Sequence, residues 1–146
     1  SPEDCFFPWH NFSWQYGKNT ISYYWGDNMA KAEFDVMLYE TSNGDCPVQD
    51  FLDSLDDKMA AKMYGMIKLL EEYGPALRMP YSEHLQNGIF ELRAKVSSNT
   101  TQVLYFFYVN KKIILTNGFV KKTQKTPKKE LLTAMKYKKD YYDREV

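Results

Sequence analysis

"QVLYFFYVNKKIILTNGF" (residues 102–119) decides the fold. The segment 102–109 is apolar on both faces, with 103–109 apolar at consecutive positions, so both faces of a strand here are covered, as for a central strand of a sheet. Asn110 and Lys111 can make a tight hairpin turn, and 112–119 reads as the next strand. On the N-terminal side, "IFELRAKV" (89–96) alternates: Phe90, Leu92, Ala94 and Val96 share one face, with Glu91, Arg93 and Lys95 on the other. "SSNT" turns the chain between them. Together these segments predict a three-stranded antiparallel meander.

Further out, "EFDVMLY" (33–39) alternates as a half-buried strand. Pro47 suits the first turn of a short helix over 47–54. Ser54 and Asp57 resemble a capping box opening a second helix. Its apolar residues Met59, Met63, Met66, Ile67 and Leu70 form one helical stripe, and Gly74-Pro75 ends it. A methionine stripe at this spacing reads as core. Beyond the meander, Thr126 and Pro127 read as N-cap and first residue of a final helix over 127–142, with Leu131, Met135, Lys138 and Tyr142 on one side. The order is strand, two-helix hairpin, three-stranded meander, helix: an α+β domain with a mainly antiparallel sheet. His84, in "SEHLQNG", reads as a surface loop residue.

The chain has 146 residues, 44% of them hydrophobic and 16% aromatic, enough for one domain with a core. Residues 1–28 differ from the rest. They hold all three Trp and His10 but no sustained period, and Met29 looks like a translation start, so 1–28 reads as an aromatic-rich extension before a domain at 29–146. The rival reading is an arm that packs its aromatics over the domain. No apolar run approaches the ~20 residues of a membrane span, and no basic-then-apolar leader is present. Cys5 and Cys46 have no metal-ligand spacing and read as reduced thiols of a cytoplasmic protein.

The formal net charge is zero, yet the charge is segregated. Residues 29–92 carry five basic and twelve acidic side chains, whereas 93–146 carry thirteen basic and four acidic. Five lysines fall within "GFVKKTQKTPKKE" (118–130). Arg93 and Lys95 project from one strand, Asn117 lies near the end of another, and Lys121, Lys122 and Lys125 follow in the next loop. Lys128 and Lys129 occupy a helical first turn, where backbone N–H groups also favour anions. Cations gathered in this way suit a polyanion's phosphates. The plainer alternative is a solvated lysine-rich face. No Gly-rich phosphate loop, metal-ligand cluster or Ser-His-Asp order is evident.

"GIFELRAK" (88–95), "VLYFFYVNKKIILTNGF" (103–119) and "FVKKTQKTPKKE" (119–130) resemble the phage Gp49-like, or HigB-type, branch of the RelE/ParE toxin superfamily over about residues 33–143, in the expected order. The lysine run is its most specific part. The resemblance implies a ribonuclease toxin of a type II toxin–antitoxin pair that cuts mRNA on the ribosome, arrests growth, needs no cofactor or metal, and is silenced by a helix-turn-helix antitoxin. Two positions depart from the family pattern: Gln102 stands where relatives often have Arg, and Asn117 where they often have His. The tyrosine that the superfamily's founding toxins carry near the start of the last helix is also absent, and Leu131 stands about there.

Cleavage of RNA without a metal uses the 2′-OH as nucleophile on the adjacent phosphate. On this reading Arg93 clamps the phosphate through its planar fork. Lys121 or Lys122 stabilises the transition state or protonates the leaving oxygen, and Asn117 holds a base or the phosphate. Lys95, Lys125, Lys128, Lys129 and His84 contact the RNA, and Tyr105 or Tyr108 is available to stack on bases if not used in the core. Two alternatives of the same fold stay open: a ParE-like gyrase inhibitor and an inactive binding module.

Overall fold

The computed structural model describes residues 33–145; the proposed extension at 1–28, with its Trp residues, Cys5 and His10, and the start at Met29 lie outside the described residues. Strand β1 (Asp35–Leu38) is followed by helices α1 (Pro47–Ser54) and α2 (Asp57–Tyr73), strands β2 (Ser82–Gln86), β3 (Ile89–Val96), β4 (Asn99–Tyr108) and β5 (Lys112–Val120), and helix α3 (Lys128–Glu145). The sheet order is β1-β5-β4-β3-β2. β1 pairs with β5 in parallel, and the other pairings are antiparallel.

β4 is apolar on both faces because both are covered. On one, Leu92, Ala94, Val103, Tyr105, Ile113 and Leu115 pack with Val48 and Leu52 of α1 and Met63, Ile67 and Leu70 of α2. On the other, Ile89, Leu104, Phe106 and Ile114 meet Ala134, Leu131 and Met135 of α3. Each fully buried aliphatic side chain contributes about 1.5–3 kcal/mol relative to exposure. Gly118 lets Phe51 of α1 approach β5: a Cβ at 118 would collide with the phenyl ring. The far end of α3 is fastened to the β1 side. Tyr39 donates its hydroxyl to Asp140, which also pairs with Arg144 at 2.9 Å, and Arg144 donates to the carbonyl of Glu40. No helix among the described residues is long and apolar enough to cross a membrane.

Three local expectations are corrected. Residues 82–86 form an edge strand where a loop was expected, so the meander has four strands. Only Ser82 of this strand is buried, and its polar sequence carries no hydrophobic alternation, as an edge strand tolerates. The cap of α2 is Asp56, whose carboxylate accepts from the Met59 N–H at 2.8 Å; Ser54 instead donates to the Phe51 carbonyl. At α3 the Pro127 carbonyl accepts from Glu130 and Leu131, while the Thr126 hydroxyl turns away from the helix.

Candidate functional site

Even-numbered residues of β3 face α1 and α2, so Glu91, Arg93 and Lys95 share the α3 side. β5 ends at Val120, and the lysine-rich loop leaves from there. Its first N–H, that of Lys121, still donates to the Thr100 carbonyl at 2.9 Å, so the loop starts in register with β4. Further on, the loop is tied back to β3: Thr126 donates to Glu91 Oε2 at 2.6 Å.

Glu91 is 1% exposed, and its other oxygen accepts from Arg93. The same guanidinium nitrogen reaches Glu83 Oε2 on β2 at 2.6 Å, and Arg93 Nη1 donates to the Met79 sulfur at 3.2 Å. The two carboxylates play different parts. Buried Glu91 is a fixed counter-charge that aims Arg93, whereas Glu83, 46% exposed, meets the same guanidinium from the solvent side. Arg93 Nε is buried without a hydrogen-bond partner. Gln102 lies directly opposite Arg93 in the β3–β4 register, is fully buried, and neither end of its amide is hydrogen-bonded.

Two adjoining hollows open over this arrangement. One, about 330 Å³, is lined by residues that include Glu83, Glu91, Arg93, Lys121, Lys125 and Thr126. The other, about 560 Å³, is lined by Arg93, Thr100, Lys121, Lys122, Thr123 and Gln124. Arg93, Lys121 and Gln124 border both. The fold therefore brings Arg93, Lys121, Lys122 and Lys125 around one open cleft, although they are up to 32 positions apart in the chain.

Other residues singled out from the sequence stand elsewhere. Lys95, Lys128 and Lys129 are exposed and line neither hollow. Asn117 is buried: its amide oxygen accepts from Thr116 at 2.7 Å, and its nitrogen faces the carbonyl and carboxylate of Glu130 at 3.2 Å each. It anchors the first turn of α3. His84 is on β2 but on the opposite face, edge-on to Phe90 at 4.9 Å. Tyr105 is in the core, and Tyr108 packs against Tyr141 and Tyr142. Sequence reasoning missed Glu83, Glu91 and Thr126. The available signal was Glu91 two residues before Arg93 on an alternating strand, which places both side chains on one face.

The fold and cleft define a small α+β domain with an arginine, held by carboxylates, beneath a lysine-rich loop. The chain belongs to the family described as phage derived protein Gp49-like (DUF891), a family of RelE/HigB-type toxins, whose model matches residues 50–139, from α1 into α3. That span contains every cleft residue named above. No match was found among curated proteins.

Proposed function

We propose that this protein is a metal-independent endoribonuclease toxin that cleaves mRNA, on the ribosome, in the cytoplasm. The observation that carries this reading is the convergence of Arg93, Lys121, Lys122 and Lys125 on one open cleft. In the proposed reaction the 2′-oxygen attacks the neighbouring phosphorus and the bond to the 5′-oxygen breaks. The products are a 2′,3′-cyclic phosphate and a free 5′-hydroxyl. Arg93 holds two phosphate oxygens and neutralises the charge that grows on them. Glu83 is the exposed carboxylate beside Arg93 and takes the 2′-OH proton, while Lys121 or Lys122 returns a proton to the leaving 5′-oxygen. Only RNA has the attacking hydroxyl. A toxin of this family implies an antitoxin partner, here taken to be a helix-turn-helix protein that keeps the cleft from mRNA. Residues 29–146 constitute the toxin domain, and 1–28 an extension outside it.

Primer extension on translated mRNA tests this. Cuts that need ribosomes and vanish in Arg93→Ala are expected. Inhibition of gyrase supercoiling without cuts would move the protein to the ParE-like class. Neither effect would leave an inactive binding module.

A further inference from the structure

The expected stacking aromatics, Tyr105 and Tyr108, are packed in the interior or against α3, yet two large apolar side chains stand uncovered beside Arg93. Tyr81 is 44% exposed and Met79 57%. The Arg93 N–H donates to the Tyr81 carbonyl at 2.9 Å, which extends the β2–β3 ladder by one residue and sets Tyr81 opposite Arg93. Ser82 points to the α1/α2 side, where its hydroxyl meets that of Tyr105. By the alternation of a strand, Tyr81 and Glu83 therefore share the face of Arg93. Met79 is held there by its sulfur, which accepts from the guanidinium at 3.2 Å. The segment is braced: the Tyr81 and Ser82 N–H groups both donate to the Arg78 carbonyl, at 3.0 and 3.2 Å.

We infer that Tyr81, flanked by Met79, is a stacking platform for the nucleobase next to the phosphate that Arg93 binds. The inference rests on the ribonuclease reading and names a binding subsite for it. Cross-strand neighbours on one face lie about 5 Å apart at Cβ, the scale that separates a nucleotide's base from its own phosphate. A cation for the phosphate and an aromatic face for the base, set side by side, is the pairing that single-stranded RNA offers a protein. Any base has a π-face, so the platform grips the strand without reading its sequence. The tyrosine stands exposed at a sheet edge, and that exposure is explained if a base covers it during binding.

The test uses the full chain and a short single-stranded RNA made uncleavable by 2′-O-methyl groups, followed by fluorescence anisotropy. Tyr81→Ala should weaken binding about tenfold or more, the size expected for one stacked base. Tyr81→Trp should keep the affinity. On a matched RNA in which every base is replaced by an abasic site, wild type and Tyr81→Ala should bind equally. Undiminished binding by Tyr81→Ala, the same loss on the fully abasic RNA, or no RNA binding by wild type overturns the inference. The translated-mRNA assay on the same proteins reads the other proposal separately. A Tyr81-dependent base step without any cleavage would sink the ribonuclease reading and leave this platform standing; cleavage indifferent to Tyr81 would do the reverse.

Discussion

The Thr126 hydroxyl donates to the Glu91 carboxylate at 2.6 Å, joining the end of the lysine-rich loop to a strand 35 residues earlier. The other Glu91 oxygen receives Arg93. One buried carboxylate thus sets the position of both cationic elements of the cleft, and a lysine loop that would otherwise sample many positions is held over the arginine. Ordering of this kind removes, during folding, an entropic cost that binding would otherwise carry.

Thr126→Val should therefore loosen the loop and destabilise the protein. Losing a hydrogen bond to a buried charged group costs about 1.5–3 kcal/mol. In a domain of this size each kcal/mol moves Tm by roughly 4 °C. Thr126→Ser keeps the hydroxyl and should stay near wild type. Equal melting temperatures for Thr126→Val and Thr126→Ser would mean the tie does not hold the loop.

Growth arrest should depend on Arg93 itself. Expression of 29–146 without antitoxin is expected to stop translation, and Arg93→Ala to relieve that arrest while the protein stays folded. Removing Arg93 leaves the buried Glu91 charge without a counter-charge and with the Thr126 hydroxyl as its remaining partner, so the folded state must be checked by circular dichroism. Arg93→Lys is the sharper variant: it keeps the charge but loses the planar fork, and activity should fall by a factor of about 10 or more. A folded Arg93→Ala protein that remains fully toxic would put the active site elsewhere.

Gln102 is a place where stability and function pull apart. Its amide is fully buried and unpartnered, and such a group costs about 1–3 kcal/mol. Gln102→Met has nearly the same shape without the polar atoms, and should raise Tm by roughly 4 °C or more. If the amide serves a substrate held by Arg93, the same change should slow cleavage. A fall in Tm would mean the amide is satisfied in the folded protein.

Burial pushes the Tyr105 hydroxyl from 10.0 up to about 12, with the Ser82 hydrogen bond opposing the shift. The folded protein therefore keeps this proton over a range in which the unfolded chain has lost it. The stability so contributed is complete below about pH 10 and is lost as pH rises to about 12, a loss of up to about 3 kcal/mol at 1.36 kcal/mol per unit. Urea unfolding of Tyr105→Phe at pH 9 and pH 12 should show a smaller drop than wild type. Tyr39 and Tyr141, whose hydroxyls are also pushed up to about 12, titrate in both proteins and cancel in the difference. Identical drops would place the alkaline sensitivity in other groups.

The parts of the fold that could be read were those with a period. β3, β4 and β5 alternate or run apolar because helices cover them, and α2 carries a five-residue apolar stripe, so their boundaries fell within a few residues. β2 was illegible because it is an edge whose partners are backbone groups and one buried serine. The arginine and lysines of the cleft were visible as charge. What could not be read was which of them meet: Lys125 and Arg93 border one hollow only because Thr126 finds Glu91 across the sheet. A glutamate on an alternating strand gives no sign of whether it faces solvent or a loop that folds back over it. For the same reason His84 looked available from its polar surroundings, although the strand turns it to the far face.

The lysines of the loop should differ by position, and salt can show how. Each phosphate neutralised along a single strand contributes about 0.7 to the slope of log affinity against log salt concentration. Lys125 lines the cleft, and Lys128 stands exposed in the first turn of α3. If both follow the RNA backbone, Lys125→Ala and Lys128→Ala should each reduce the slope by about that amount, equally for RNAs of different sequence. If Lys128 is only a solvated residue, its removal should leave the slope unchanged while Lys125→Ala reduces it, and the RNA track then ends at the cleft. Lys121 and Lys122 should depart from this pattern. A lysine that stabilises the transition state loses more in rate than in binding, so Lys121→Ala or Lys122→Ala should lower single-turnover cleavage well beyond its effect on affinity. Lys→Arg at the proton-donating position should not restore the rate, because a guanidinium keeps its proton. Slopes unchanged by removing both Lys125 and Lys128 would take the RNA-tracking role away from this loop and leave its lysines as a solubilising surface.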